Sequence, residues 1–516
     1  MTRTPRLLTI AAIVACTNAS AAAASPVVRH PDAVTYPSLP LMGYRHTPPH
    51  PPARRYRINP HVRNGSWQPV AGTAPFGQNG GGTAIQMTDG TVMVQDNESS
   101  WYRLTPDKTG SYVNGTWSQA ASLPSGYGPL YFASAILPDA KLIVEGGEYN
   151  FFQGTETTLG AIYDPLANTW TSVSPPSGWT RIGDGQSVVL PNGTFMLGNC
   201  CTSSQALLDE STLTWTATGS GKHDANSEEG WTLLSSGNVL TADVLDAPNS
   251  EIYATSTGTW STAGNVPVNL IASDEIGPQT LRPDGTVFVA GASGHTAIFN
   301  SNTNVWAAGP DFPIVGGQQL DVADGPSSLL PDGNVLIATS PGVYNAPAYF
   351  YEFDGTKFIA VPNPPDAPND SSYNVRLMVL PTGQVLETDG SDDVEIYTPK
   401  GHAIKSIAPK ITSVPSTLTH GMTYTISGKR LNGISQANFY GDDVQEATNY
   451  PLVRITNGAT GDVFFARTHA FSSMAVASKA VVSASFDVPA SSELGPSSLV
   501  VVTNGIASKP VSVTIQ

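Results

Sequence analysis

The stretch Ser327-Ser328-Leu329-Leu330-Pro331-Asp332-Gly333-Asn334-Val335-Leu336-Ile337 places a Pro-Asp-Gly turn between two short apolar runs. Pro, Asp and Gly are the residues that tight turns favour, and short runs rich in aliphatic residues on both sides of such a turn indicate strands. The stretch therefore predicts a β-hairpin.

This hairpin recurs along the chain. Its turn residue falls at Gly90, Ala140, Gly193, Gly237, Gly285, Gly333 and Gly383, with spacings of 50, 53, 44, 48, 48 and 50 residues. A second series of aromatic residues closes the units, at Trp67, Trp117, Trp170, Trp215, Trp260, Trp306 and Phe358. A regular repeat of this length is typical of a β-propeller with four strands in each blade. Seven turns predict seven blades, and the surplus strand with Trp67 is expected to complete the last one.

Composition and the remaining segments complete an all-β prediction. The chain has 49 Gly and 42 Pro among 516 residues, more than helical proteins tolerate. We predict the propeller over residues 61–400 and an immunoglobulin-like sandwich over 407–516, where the period stops and short alternating strands follow. The Pro-rich residues 25–60 predict an extended linker.

The first 24 residues have the pattern of a secretory signal peptide. Arg3 and Arg6 precede an apolar run, and small residues follow before Ser25. An alternative stays open, because the residues ending at Cys16 are similar to a bacterial lipobox, which would leave Cys16 lipidated. We expect a secreted or periplasmic protein, or a lipid-anchored one.

Charge excludes several classes of partner. The net charge is −16 and the pI is about 4.9, whereas nucleic acids and anionic membranes are bound by clustered Lys and Arg. The sequence also has no Gly-rich phosphate-binding loop and no nucleophile elbow. We therefore expect neither nucleic-acid binding nor nucleotide chemistry.

Two adjacent cysteines, Cys200 and Cys201, remain after the leader. One interpretation is a pair of thiols at the end of a strand. The other is a vicinal disulfide that faces a ligand in an oxidising compartment.

Carboxylates recur where the chain enters the inner strands. Counting back nine residues from each turn residue, starting with the second turn at Ala140, gives one residue per blade: Tyr131, Asp184, Glu228, Ile276, Asp324 and Asn374. Glu275 is the neighbour of Ile276 in this series. Like charges that converge on one mouth raise one another's pKa or bind a cation. Three uses are open: an oxygen-rich Ca²⁺ site, a general acid and base acting on a glycan, or structural hydrogen bonding with partial neutralisation by Arg181 and Arg376.

Pairs of small residues after the second strand, such as Gly146-Gly147, resemble the kelch repeat. Together with the stretch from Tyr440-Gly441-Asp442-Asp443 to Arg467-Thr468-His469, the chain from about residue 64 onward resembles galactose oxidase and the glyoxal-oxidase-like copper radical oxidases. The resemblance implies a seven-bladed kelch propeller, an early-set C-terminal domain and copper-dependent oxidation of an alcohol or aldehyde.

The resemblance also implies roles for particular residues. Tyr131 corresponds to the radical tyrosine, Tyr373 to the axial tyrosine and proton acceptor, and His469 to a copper ligand brought in by a C-terminal hairpin. Tyr149 corresponds to the aromatic residue stacked over the radical site. The chain departs from the family at Asn374, where the family has histidine, and at Thr83 or Gly82, where it has cysteine.

Two residue sets therefore describe the predicted site. The metal set is Tyr131, Tyr373 and His469, and the substrate-binding set is Tyr149, Asp184, Glu228, Glu275, Asp324, Asn374 and His295, since His295 is expected at the same end of the propeller. We expect the mouth to act on or bind a carbohydrate or a small alcohol or aldehyde, with copper as cofactor. The alternatives are a non-catalytic glycan- or Ca²⁺-binding propeller and a carboxylate-based hydrolase.

Overall fold

The computed structural model describes residues 65–441 and 443–516. The predicted signal peptide, the lipobox cysteine Cys16 and the predicted linker lie outside these residues. No helix among the residues described is long and apolar enough to cross a membrane.

Seven four-stranded antiparallel sheets are arranged as the blades of a propeller. In chain order from the inner strand, the first four blades contain Ala84–Gln86, Val92–Gln95, Trp101–Thr105 and Thr116–Gln119; Ala133–Ile136, Leu142–Glu145, Gly160–Asp164 and Thr169–Val173; Ser187–Val189, Phe195–Gly198, Gln205–Asp209 and Thr214–Thr218; Thr232–Leu233, Val239–Ala242, Ser250–Ala254 and Thr259–Thr262. The last three contain Gln279–Leu281, Thr286–Ala290, Thr296–Asn300 and Val305–Ala308; Ser327–Leu329, Val335–Thr339, Tyr349–Phe353 and Phe358–Ala360; Arg376–Val379, Val385–Thr388, Val394–Thr398 and Ser66–Pro69.

The repeated turn sets the hairpin at the start of each blade. Gly333 has φ +87°, a conformation that costs glycine little because it has no Cβ. The preceding Asp332 accepts a hydrogen bond from the backbone N–H of Asn334 at 3.0 Å. Ala140 occupies the same place in blade 2 with φ +71°, so one repeat keeps the turn without glycine.

The ring is closed by both ends of the propeller sequence. The strand Ser66–Pro69 pairs with Val394–Thr398, with Trp67 opposite Tyr397. The Trp67 indole contacts the Tyr397 ring at 4.9 Å between centroids and donates a 2.6 Å hydrogen bond to the carbonyl of Pro362. The prediction that the Trp67 strand completes the last blade is confirmed.

The C-terminal residues form the predicted sandwich. Its nine-stranded curled sheet has the order Lys410–Ser413, Thr423–Lys429, Val481–Asp487, Val463–His469, Leu452–Asn457, Gly495–Thr503, Val511–Ile515 and Thr417–Leu418, and Ile506–Ala507 pairs with Gly495–Thr503. Alternating residues of these strands, among them Ile426, Val453, Ala484 and Leu499, form its core.

Short elements rise around one end of the propeller, which we call the mouth. They are the strands Pro129–Leu130, Tyr149–Asn150 and Gln153–Gly154, the hairpin Ile314–Val315 with Gln318–Gln319, and the 3-10 helix Ser372–Asn374. All of them belong to the connections before or within the blades, at the end opposite to the Pro-Asp-Gly turns.

A hairpin from the sandwich fills the propeller axis. Its strands are Phe439–Tyr440 and Val444–Gln445. Asn438 accepts hydrogen bonds from the N–H of Val379 in blade 7 and from the hydroxyl of Ser328 in blade 6. On the other side, the hydroxyl of Ser134 in blade 2 donates to the carbonyl of Gln445 at 2.8 Å. These buried polar contacts fix the hairpin between the inner strands.

Candidate functional site

The mouth is built from the residues that precede the inner strands. Tyr131, Glu228 and Asp324 hold this position in blades 2, 4 and 6, with φ of +52°, +56° and +46°. A left-handed conformation costs a residue with a Cβ roughly 1–2 kcal/mol. The same strained conformation therefore recurs at three blade entrances, each time at a residue that sequence analysis had placed in the site.

Three carboxylates meet on one side of the mouth. Glu228, Glu275 and Asp324 each place an oxygen within 4.8 Å of the other two. The hydroxyl of Tyr344 lies 2.8 Å from Oδ2 of Asp324 and also hydrogen-bonds Oε1 of Glu275. Glu275 is 2% exposed, and its Oε2 has no hydrogen-bond partner. We call these three carboxylates the acidic triad.

Four further carboxylates lie around the acidic triad, namely Glu148, Glu156, Asp184 and Asp443. Burial first, and then the charges of Asp184 and Asp324, raise the pKa of Glu228 well above its usual range. Burial and the charges of Asp184 and Asp443 likewise raise the pKa of Glu148. For Asp184, burial and the charge of Glu156 raise the pKa to about 8. The described mouth thus concentrates more negative charge than its own groups can hold ionised at neutral pH.

Arg376 supplies positive charge to the mouth. It is 8% exposed, and its Nη1 donates to the carbonyls of Tyr373 at 2.6 Å and Val375 at 2.9 Å. Its charge opposes the effect of burial on the pKa of Asp443 and of Asp324. The guanidinium is therefore an internal counter-ion for the carboxylates nearest the axis.

Tyrosines form the walls of the mouth. The rings of Tyr131 and Tyr149 meet edge to face at 6.0 Å, and those of Tyr344 and Tyr373 do so at 5.1 Å. Burial raises the pKa of Tyr149 and of Tyr373 above the usual tyrosine value. The structure thus brings Tyr131 against Tyr149 and Tyr373 against Tyr344 at the mouth.

His469 lies elsewhere, which corrects its place in the metal set. Its Nε2 is 3.1 Å from Oδ1 of Asp487 within the sandwich. The neighbouring Thr468 N–H donates to Thr88, in the blade 1 turn, and Phe471 N–H donates to Pro138, in the blade 2 turn. Seven residues separate Pro138 from Tyr131, about 20 Å of extended chain. His469 therefore lies at the turn end of the propeller, away from the mouth.

The hairpin tip at the mouth carries a carboxylate instead of an imidazole. The carbonyl of Asp443 accepts a 3.3 Å hydrogen bond from Phe132 N–H, next to Tyr131. Sequence analysis singled out the stretch around Asp443 but assigned the metal ligand of the hairpin to His469. The available signal was the run of polar residues around it, Asn432, Gln436, Asn438, Gln445 and Glu446, which the structure buries.

Two other predicted residues have local roles. The Nδ1 atom of His295 lies 2.7 Å from Oδ1 of Asp311, and both side chains are largely exposed. Asn374 Oδ1 accepts a hydrogen bond from the backbone N–H of Ser371 at 3.2 Å, which caps the 3-10 helix. His295 therefore belongs to an exposed hydrogen-bonded pair with Asp311, and Asn374 holds the backbone beside Tyr373.

Glu148, Tyr344 and Asp443 were missed as site residues. Tyr344 lies in the connection between the second and third strands of blade 6. Counting back from the repeated turns does not reach this connection. Glu148 follows Gly146-Gly147 directly, which was a usable signal. Only the folded chain brings these residues to the same mouth as Asp184.

Cys200 and Cys201 are joined by a vicinal disulfide. Cys200 Sγ lies 3.4 Å from Oε2 of Glu156, and Nη1 of Arg181 lies 3.9 Å from Cys201 Sγ. A Cβ at Gly183 would come within 2.6 Å of Cys200 Sγ. The disulfide is thus packed tightly against the loops of blades 2 and 3 at the mouth.

Another acidic cluster encloses a lysine. Lys222 is buried, with its Nζ 2.9 Å from Glu229 and 2.7 Å from Glu251, and it also pairs with Asp224. The charges of Glu229, Asp243 and Asp224 raise the pKa of Lys222 against the effect of burial. The ammonium group occupies this cluster, which distinguishes it from the acidic triad.

The donors at the mouth are oxygen atoms. Cu²⁺ sites are distinguished by imidazole nitrogen, whereas carboxylate oxygen suits harder cations such as Ca²⁺. The two histidines that the sequence predicted for the site are engaged elsewhere, His469 with Asp487 and His295 with Asp311. The described residues fit a hard cation and do not fit the copper centre that the resemblance implies.

Comparisons with known proteins find distant likenesses. No protein-family model and no curated protein matches the chain. A solved copper-bound fungal alcohol oxidase of the AA5 family is 14% identical, covers 84% of this chain and 85% of its own, and has a TM-score of 0.40. Virginiamycin B lyase from Staphylococcus aureus is 9% identical over 65% and 99%, with a TM-score of 0.47. The extracellular domain of a putative one-component system from B. thetaiotaomicron is 12% identical over 88% and 58%, with a TM-score of 0.42.

Proposed function

We propose that the axial mouth binds Ca²⁺ at the acidic triad and, through it, a carbohydrate or another small polyhydroxy ligand. The observation that carries the proposal is that Glu228, Glu275 and Asp324 bring oxygens within 4.8 Å of one another while Oε2 of buried Glu275 has no hydrogen-bond partner. A hard divalent cation accepts several carboxylates in flexible geometry and retains positions for ligand hydroxyls.

Aromatic groups near the acidic triad favour a sugar ring as the ligand. Tyr131 and Tyr149 line the same mouth, and the turn after Tyr149 presents Phe151 with 37% of its surface exposed. Aromatic rings bind apolar C–H faces well, while their polar tips stay hydrated. The combination of carboxylate oxygen and aromatic surface matches the two faces of a carbohydrate.

Hydrolysis by paired carboxylates is the second candidate function. Glu275 and Asp324 lie on either side of the Tyr344 hydroxyl, and burial followed by the charge of Asp324 raises the pKa of Glu275 well above its usual range. A proton shared by two carboxylates yields one acid and one base, the pair that glycoside hydrolysis uses. Bond cleavage that persists in a chelator would favour this candidate over cation-dependent binding.

The test is calorimetric titration of the metal-free protein with Ca²⁺ and, separately, with Cu²⁺, followed by a screen of neutral and acidic oligosaccharides. We expect one Ca²⁺ at the mouth, at least tenfold weaker binding in Glu275→Gln, and glycan binding that requires Ca²⁺. Asp311→Asn is the control, because this exposed carboxylate pairs with His295 outside the acidic triad. Ca²⁺ binding unchanged in Glu275→Gln would overturn the proposal, as would stoichiometric Cu²⁺ binding that Tyr131→Phe abolishes.

We also propose that the protein works outside the cytoplasm. The Cys200–Cys201 disulfide supports this location, since disulfides persist in oxidising compartments. Mass spectrometry of the mature N-terminus would test it. A start near Ser25 is expected for simple cleavage, and a lipidated Cys16 for the anchored alternative.

A further inference from the structure

A second group of carboxylates lies within the propeller between blades 6 and 7. Glu387 and Glu395 stand directly opposite each other on adjacent strands of blade 7. Side chains at paired positions share one face of the sheet, with Cβ atoms about 5 Å apart, and two like charges there are destabilising. Their neighbours on this face, Val385 and Tyr397, belong to the apolar core packed against blade 6.

Both glutamates are removed from solvent and incompletely bonded. Glu387 is 1% exposed and Glu395 is 3% exposed. Oε1 of Glu387 and Oε2 of Glu395 have no hydrogen-bond partner. A buried carboxylate oxygen without a partner is costly unless it is protonated or bound to a cation.

Two aspartates complete the group. Asp389 follows the Glu387 strand and is 8% exposed, and Asp370 lies in the connection from blade 6, where its Oδ2 is buried without a partner. After burial, the charges of Asp389 and Asp370 contribute most to the raised pKa of Glu387. After burial, the charge of Asp389 is also the largest cause of the raised pKa of Asp370. The two aspartates therefore lie on the side of blade 7 that carries the Glu387–Glu395 pair.

We propose that Glu387, Glu395, Asp389 and Asp370 hold a second divalent cation, Ca²⁺, which fastens the closing blade of the propeller. Glu387, Glu395 and Asp370 each have a buried oxygen without a hydrogen-bond partner, whereas Asp389 accepts a hydrogen bond from Ser391 N–H through Oδ1. Together the four carboxylates form an all-oxygen donor set of the kind that Ca²⁺ takes in preference to softer metals. Glu395 lies on the strand that pairs with Ser66–Pro69, with Pro69 as its partner. A cation here would join the two central strands of blade 7 and the blade 6 connection at the point of ring closure.

A single buried glutamate elsewhere provides the matched control. Glu145 in blade 2 is fully buried, and neither of its oxygens has a partner. Its pKa is raised by burial alone, so it stands apart from other carboxylates and is expected to be protonated. Glu145→Gln thus changes the same kind of side chain in the same kind of setting, without a cation group.

The experiment measures Ca²⁺ stoichiometry by equilibrium dialysis and thermal unfolding in a chelator and in Ca²⁺, in a Glu275→Gln background that removes the mouth site. We expect one Ca²⁺ per chain in this background and in Glu275→Gln/Glu145→Gln. The triple variant Glu275→Gln/Glu387→Gln/Glu395→Gln is expected to bind none.

Stability separates loss of the site from a folding defect. With its like charges removed, the triple variant should be at least as stable as its background in chelator, while losing the rise in Tm of about 4 °C that Ca²⁺ gives the background. The proposal is overturned if the triple variant still binds one Ca²⁺, or if the Glu275→Gln background binds none. Neither result bears on the Ca²⁺ site at the mouth, which is tested separately by the calorimetric titration of Glu275→Gln.

Discussion

The guanidinium carbon of Arg376 lies 5.7 Å from the centroid of the Tyr131 ring. Arg376 thus contacts the tyrosine that the family resemblance identifies as the radical residue. Arg376 also acts on Asp324 and Asp443. A permanent positive charge therefore faces the tyrosine ring and partly balances the carboxylates of the mouth.

Replacing Arg376 by Met should destabilise the metal-free protein. Removing one partner of a buried ionic group costs about 3–5 kcal/mol, because the carboxylates left behind lose their counter-charge. Urea unfolding in chelator would measure the loss, and Ca²⁺ should restore much of it. Arg282→Met is the control. Arg282 also lies over an aromatic ring, with its guanidinium carbon 5.3 Å from the Phe353 centroid, but it is not at the mouth. Equal losses in both variants, unaffected by Ca²⁺, would contradict this role.

The metal-free protein should become less stable as pH rises from about 4 to 8. Asp184 has a pKa of about 8 in the folded protein, against 3.8 for the ordinary side chain. The folded state therefore binds more protons than the unfolded chain throughout this window, and stability is lost as they dissociate. Thermal unfolding in chelator at pH 5 and pH 8 would show the decline.

Asp184→Asn should make that decline shallower, and Ca²⁺ should flatten it by replacing the protons. Asp107→Asn serves as the comparison, because hydrogen bonds to Asp107 outweigh burial and lower its pKa. A Tm that rises between pH 5 and pH 8 in chelator would show that the carboxylates of the mouth do not carry the predicted protons.

Trp67→Ala should open the ring. Trp67 packs against Phe350 at 5.3 Å and against Tyr397, and these contacts hold the N-terminal strand in blade 7. Truncating a packed aromatic residue costs about 3–5 kcal/mol. Trp215→Ala is the matched control: Trp215 lies on the outer strand of blade 3 and its indole also donates to a carbonyl, that of Ser174. Because only Trp67 closes the ring, limited proteolysis should release the N-terminal strand in that variant alone.

The vicinal disulfide gives a direct chemical prediction. Alkylation of the unfolded protein without reductant should leave the tryptic peptide 182–222 unmodified, and prior reduction should add two alkyl groups to it. Reduction should also weaken ligand binding at the mouth, because Cys200 packs against Glu156, whose charge acts on Asp184. Two alkyl groups without reductant would show free thiols.

Much of the architecture could be read from the chain. Each Pro-Asp-Gly turn is a local signal, since its geometry depends on a few consecutive residues such as Asp332 and Gly333. The period of these turns predicted seven blades, and the surplus Trp67 strand predicted how the ring closes. The same register led to Glu228, Glu275 and Asp324, because it counts positions from a turn that every blade shares.

The composition of the mouth was decided by contacts between distant segments. Tyr344 meets Asp324 from another part of its own blade. Asp443, on a hairpin more than 300 residues away in sequence, accepts a hydrogen bond from Phe132, the residue after Tyr131. The sequence prediction put His469 at the mouth. It was wrong because the sequence of a hairpin does not show which of its residues enter the propeller axis. The sequence by itself determined the repeating unit and its turns, which are local. Only the tertiary structure decided which charges share a buried space, because that depends on how separate blades and the axial hairpin pack together.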